Sequence, residues 1–132
     1  MTFALDLNDL PEEMNRYYSM FATHVSVKLM NFDKNSRKLV DTGGFSGKLI
    51  HSGRSKFRTK GLTPIEFSVK PRVTGLPYAS GKAAELGARE GKYVGLSPFS
   101  DWTLIVDRRG APRLSSVEKI QLTFTSTYRI AV

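Results

Sequence analysis

The chain reads as an all-β protein, an antiparallel β-sandwich of jelly-roll type with one short N-terminal helix, formed as a single domain over residues 1–132. Three observations predict this. Apolar and polar residues alternate with a period of two in several separate stretches, the pattern of strands that bury one face. Glycine and proline interrupt those stretches at short intervals, as turns do in sandwiches and barrels. The chain is also long enough to enclose a core without disulfides or a metal.

Phe3, Leu5 and Leu7 alternate with Thr2, Ala4 and Asp6, so a strand opens the chain. Asn8 or Asp9 then stands where a side-chain oxygen caps a helix, with Pro11 tolerated in the first turn and Glu12 and Glu13 favoured by the dipole. That helix is expected to end near Tyr17 or Tyr18, and Tyr17, Tyr18 and Phe21 to form a docking patch or, as such clusters more often do, to pack the helix onto the sandwich. Across residues 24–32, Val25, Val27 and Leu29 oppose His24, Ser26 and Lys28 in a second strand. Residues 33–36 are turn-prone, and Gly43 and Gly44 break the chain before a strand at 45–52 that contains Leu49.

Residues 53–61 are basic and bounded by glycine, a loop or the exposed end of a hairpin. Pro64 and Pro71 bracket the alternating Ile65, Phe67 and Val69, as prolines do at strand ends where they spoil no central ladder. Residues 74–91 hold Gly75, Pro77 and Gly81, then Ala83, Ala84 and Leu86, which fit one helical turn or an irregular loop. A compact apolar strand at 102–107 is ended by a turn at Arg108, Arg109 and Gly110. The last strand runs from about Val117 to Ile130, where Ile120, Leu122 and Phe124 oppose Gln121, Thr123, Thr125 and Thr127.

Composition excludes several chemistries. Cysteine is absent, which removes disulfides, thiolate nucleophiles and cysteine-ligated metals. The apolar runs fall far short of the roughly 20 residues of a membrane helix, so no membrane span is expected. The acidic, alternating start lacks the basic and apolar regions of a cleaved leader, which places the chain in the cytoplasm or on an export route without one. The net charge is +8, concentrated between residues 48 and 72, where Lys48, Arg54, Lys56, Arg58, Lys60, Lys70 and Arg72 are opposed by Glu66 alone. Such a segment attracts polyanions, or merely solvates one face.

No constellation for catalysis, cofactor or metal emerges, and a non-enzyme is expected. His24 and His51 each sit in a strand without a second ligand at metal spacing. The acidic residues around position 9 are explained by the helix start rather than by paired general acid–base work. Ser46-Gly47-Lys48 and Ser80-Gly81-Lys82 echo a phosphate loop but lack its full glycine pattern. Tyr78, Tyr93 and Trp102 lie in or beside a glycine-rich stretch and are candidates for stacking on a glycan, although large aromatics beside a strand more often belong to the core.

Taken in order, residues 3–11, the His24-Val25-Ser26-Val27-Lys28-Leu29 strand, Leu96-Ser97-Pro98-Phe99 leading into Trp102-Thr103-Leu104, and residues 114–129 resemble the C-terminal β-sandwich of the A component of bacterial Tc insecticidal toxins. The resemblance implies a non-enzymatic role, in which this region forms part of a subunit interface and docks the component carrying the toxic cargo. The pore-forming part of that family is not in this sequence and its middle segment is more basic, so toxin activity does not carry over. The leading expectation is an interaction module that self-associates or docks in a larger toxin- or secretion-type assembly. A lectin-like domain using Tyr78, Tyr93 and Trp102 is the alternative. Polyanion or nucleic-acid binding through the basic segment is the second alternative.

Overall fold

The computed structural model describes residues 1–41, 43–76, 82–86, 96–107 and 117–131. Over these residues the protein is mostly β, with antiparallel sheets and no α-helix. Ten strands follow in chain order: β1 (Thr2–Ala4), β2 (Tyr17–Asp33), β3 (Lys38–Asp41), β4 (Gly47–His51), β5 (Arg54–Arg58), β6 (Pro64–Ser68), β7 (Arg72–Leu76), β8 (Ala84–Glu85), β9 (Asp101–Val106) and β10 (Val117–Ile130). One sheet has the order β1-β9-β4-β7 and a second β10-β2-β3, with β8 also pairing β2; β5 and β6 form a two-stranded hairpin.

The expected N-terminal helix is instead two 3-10 turns, Leu7–Asp9 and Glu12–Met14. The capping chemistry is present but sits earlier: the Asp6 N–H donates to the Asp9 carboxylate at 2.7 Å and the Asn8 N–H to the Asp6 carboxylate. Pro11 follows within the same segment, and without its own N–H it cannot extend the hydrogen-bond ladder of the first turn into an α-helix. Strand β2 therefore begins at Tyr17, and Tyr17, Tyr18 and Phe21 lie on a strand rather than at a helix end.

The basic stretch expected as a loop or the exposed end of a hairpin instead supplies the hairpin's first strand, since β5 pairs β6 in register from Arg54 opposite Ser68 to Arg58 opposite Pro64 and buries Ser55 and Phe57. Its entry depends on Gly53, whose φ of +92° suits a residue without a side chain and whose added Cβ would overlap the Val69 carbonyl oxygen. Residues 84–85, expected as a helical turn or loop, form the short strand β8 opposite His24 and Val25.

The core forms where the inward residues of the two larger sheets meet. Leu49, Trp102 and Leu104 from one sheet and Val25, Val27 and Leu29 from the other belong to one buried cluster, with Ile120, Leu122 and Phe124 packed against it. The rings of Trp102 and Phe124 are 5.4 Å apart and link the two sheets directly. At Gly47 the backbone of β4 approaches β9 so closely that a Cβ would overlap the Ile105 carbonyl oxygen. Among the described residues no helix is long and apolar enough to cross a membrane.

Candidate functional site

Strand β10 occupies the outer position of its sheet and pairs, among the described residues, with β2 alone. It is 14 residues long, about 45 Å at ~3.4 Å per residue. Ile120, Leu122 and Phe124 are half-buried, while Gln121, Thr123, Thr125 and Thr127 are exposed. Its opposite edge, with every second backbone N–H and C=O unused by β2, is a template for another strand.

The β2–β10 pairing is irregular at its lower end. A register shift falls between Thr125 and Ser126 and another between Thr127 and Arg129. Thr127 faces Phe21 and Arg129 faces Tyr18, so Ser19 and Met20 together oppose Tyr128 alone. Such a bulge needs an unusual backbone, and Ser19 supplies it with φ of +50°. Tyr17 and Tyr128 stack beside it with centroids 4.1 Å apart and planes 7° from parallel. Their mutual hydrogen bond is the main cause that raises the Tyr17 phenol above its ordinary pKa. On this end of the ribbon a groove of about 490 Å³ is lined by Ser19, Phe21, Thr127, Tyr128 and Arg129.

The basic residues of the middle segment do not act alike. Arg54 pairs with Glu66 at 3.0 Å and Asp101 at 3.7 Å, and Lys56 lies 4.0 Å from Asp6. Arg58 donates to the carbonyls of Asn15 and Met14, clasping the segment between the second 3-10 turn and β2. Lys48, Lys60, Lys70 and Arg72 are exposed and enter no ion pair among the described residues. Lys48 stands on β4, Lys60 at the hairpin turn, Lys70 between β6 and β7, and Arg72 at the start of β7. Three of the seven cations are thus spent on internal contacts.

Trp102 has no exposed face to offer a sugar. It is fully buried, donates its indole N–H to the Pro98 carbonyl at 2.9 Å and meets the His51 ring edge-on at 4.7 Å. Tyr78 and Tyr93 lie outside the described residues. His51 is also fully buried. The Gly53 N–H donates to its Nδ1 and its Nε2 lies 2.9 Å from the Ser97 carbonyl, which assigns the ring proton to Nε2. Burial lowers its pKa, against smaller raising effects of the Ser97 carbonyl and Asp101.

Around these two rings, residues 96–100 tie four parts of the chain together. Leu96 accepts from the Ala22 N–H, Phe99 from the Lys56 N–H and Ser100 from the Leu5 N–H. The Ser97 hydroxyl donates to the Lys56 carbonyl and accepts from the Phe99 N–H, and the Ser97 N–H donates to Ser55 Oγ. Sequence reasoning missed this cluster because its partners lie some 40 positions apart, 46 between His51 and Ser97. No group of three potential metal ligands occurs among the described residues. No family model, curated protein or solved structure matches the chain.

Proposed function

We propose that this protein is a non-enzymatic β-sandwich interaction module that pairs with a second copy of itself through the free edge of β10. The observation that carries the reading is the position of a 14-residue strand at the rim of its sheet. A strand this long with one edge unpaired among the described residues is a ready partner for an identical strand, and two copies related by a two-fold axis form the commonest kind of oligomer. The common core of the two larger sheets supports the sandwich architecture. The segments that resemble the Tc toxin A component support the same role, since there the region contributes to a subunit interface.

The residues of β10 narrow the register. Antiparallel partners must point to the same face, so with Ile120, Leu122 and Phe124 turned to the core the axis passes through a residue, not between two. An axis at Phe124 sets Lys119 opposite Arg129 of the second copy, two like charges side by side. An axis at Thr123 avoids that, setting Leu122 opposite Phe124, Gln121 opposite Thr125 and Lys119 opposite Thr127. The second register is the proposed one.

Because the chain has no cysteine, single cysteines report the register. Thr123→Cys brings two Cα atoms to about 4.5–5.5 Å, within disulfide range, whereas Thr127→Cys leaves its pair more than ~20 Å apart. Light scattering is expected to give a dimer for the unmodified protein, and mild oxidation a covalent dimer for T123C but not for T127C. A strict monomer at high concentration, or equal cross-linking of both variants, overturns the proposal.

A further inference from the structure

The groove at the bulged end of the β2–β10 ribbon has the chemistry of a small-molecule binding site. Its walls come from one chain, although in the proposed register Lys119 of a second copy stands opposite Thr127 at its edge. Ser19 at its rim holds a left-handed backbone that a residue with a side chain seldom adopts, and such outliers collect at ligand sites and bulges. The volume of about 490 Å³ lies in the range of small-molecule sites.

Charge and hydrogen-bonding capacity narrow the ligand. The lining of Ser19, Phe21, Thr127, Tyr128 and Arg129 contains one cation and no carboxylate, in a chain of net charge +8, so a cationic ligand is disfavoured and an anion attracted. Arg54 and Arg58 spend their guanidinium groups on internal acceptors. Arg129 is exposed and, among the described residues, meets neither a carboxylate nor a hydrogen-bond acceptor. A single guanidinium fork matches the two oxygens of a carboxylate. A phosphate dianion would bring a further oxygen and a second charge that no other cation in the lining meets.

The remaining lining describes the body that carries the carboxylate. Hydroxyls of Ser19 and Thr127 can each donate and accept, which suits a ligand bearing hydroxyls, and the half-buried Phe21 ring, itself packed against Phe57 at 4.7 Å, adds an apolar side to the groove for the C–H face of a ring. We infer that this groove binds a sugar acid, with the carboxylate on Arg129 and the pyranose ring against Phe21, Ser19 and Thr127.

The test is titration of the intact, isotope-labelled protein with D-glucuronate, followed by backbone NMR shifts, with D-glucose, acetate and inorganic phosphate as comparison probes. Glucuronate is expected to shift residues 19–21 and 127–129 with millimolar affinity. Glucose, identical except for its uncharged CH2OH group, is expected to bind at least tenfold more weakly, and acetate likewise. Arg129→Gln is expected to lose at least tenfold in glucuronate affinity, and Arg129→Lys, which keeps the charge but not the fork, at least threefold. Glucose or acetate binding as tightly as glucuronate, phosphate binding more tightly, full affinity in either variant, or no shift at residues 19–21 and 127–129 overturns the inference. The wild-type comparison among the four probes decides the matter even if a variant fails to fold.

Discussion

Two regions of this protein handle polar groups in opposite ways. Around residues 96–100, His51, Ser97, Ser100 and the Trp102 indole are buried, and every one has a hydrogen-bond partner. At the rim formed by β10, the backbone edge faces outward, Arg129 is without an internal partner among the described residues, and a stretch of threonines is exposed. A satisfied buried network specifies one arrangement and has nothing left to offer a ligand. Capacity for recognition lies where donors and acceptors remain available, so Trp102 and His51, two of the residues that look most chemical in the sequence, are structural, and the plain threonine strand is the functional candidate.

The largest expected effect breaks the buried side of this contrast. Trp102→Ala removes the ring that bridges the two sheets to Phe124 and leaves a cavity against His51. Such a truncation costs about 3–5 kcal/mol, a large share of the ~5–15 kcal/mol that stabilises an ordinary domain. Chemical denaturation is expected to show a midpoint lowered accordingly. A loss below about 1 kcal/mol would mean that Trp102 is not the junction between the layers.

How far each region was legible depends on the distance over which its cause acts. The bounds of β10 follow from its own alternation of Ile120, Leu122 and Phe124 with polar residues, a local signal that the structure preserves. Strand β2 extends well before the residues 24–32 that its alternation marks, because a bulge at Thr23 shifts the phase: Met20 and Ala22 are buried on one side of it, Val25 and Val27 on the other. A period-two search stops where the phase breaks. Strand β3 is exposed along its whole length, so Lys38–Asp41 carries no alternation to detect. The role of His51, and the lack of a partner for Arg129 among the described residues, depend on residues far away in the chain, which spacing alone does not report.

An intermediate effect sharpens the same comparison through pH. Burial holds the folded-state pKa of His51 below its ordinary value of 6.5, so the unfolded chain takes up a proton at a pH where the folded ring does not. Stability from this group is therefore complete above about pH 6.5 and falls as the pH drops from there toward the folded-state value. Protonation would also place an Nδ1–H against the Gly53 N–H that now donates to it. Melting temperatures measured between pH 7.5 and 5 are expected to fall in the wild type and to fall less in His51→Asn, after correction for its lower starting stability. Equal slopes would remove His51 as the source. Asp33, whose pKa is lowered by hydrogen bonds from Asn35 and Ser36, acts only near and below the ordinary carboxylate range and leaves this window unaffected.

The smallest expected effect lies at the rim and probes its backbone rather than its packing. Ser19 adopts φ of +50°, a conformation that costs a residue with a Cβ about 1–2 kcal/mol. Glycine relieves that cost but gives the unfolded chain more freedom, worth about 0.5–1 kcal/mol in the opposite direction. Ser19→Gly is thus expected to raise stability slightly, by no more than about 1 kcal/mol, in contrast to the large loss at Trp102. If the bulge exists to shape the groove, the same variant also removes one hydroxyl from its rim, so glucuronate affinity should fall while stability does not. A substantial loss of stability would show instead that the Ser19 side chain helps to hold the ribbon, and that the strained backbone is a consequence of that contact rather than a feature of the site.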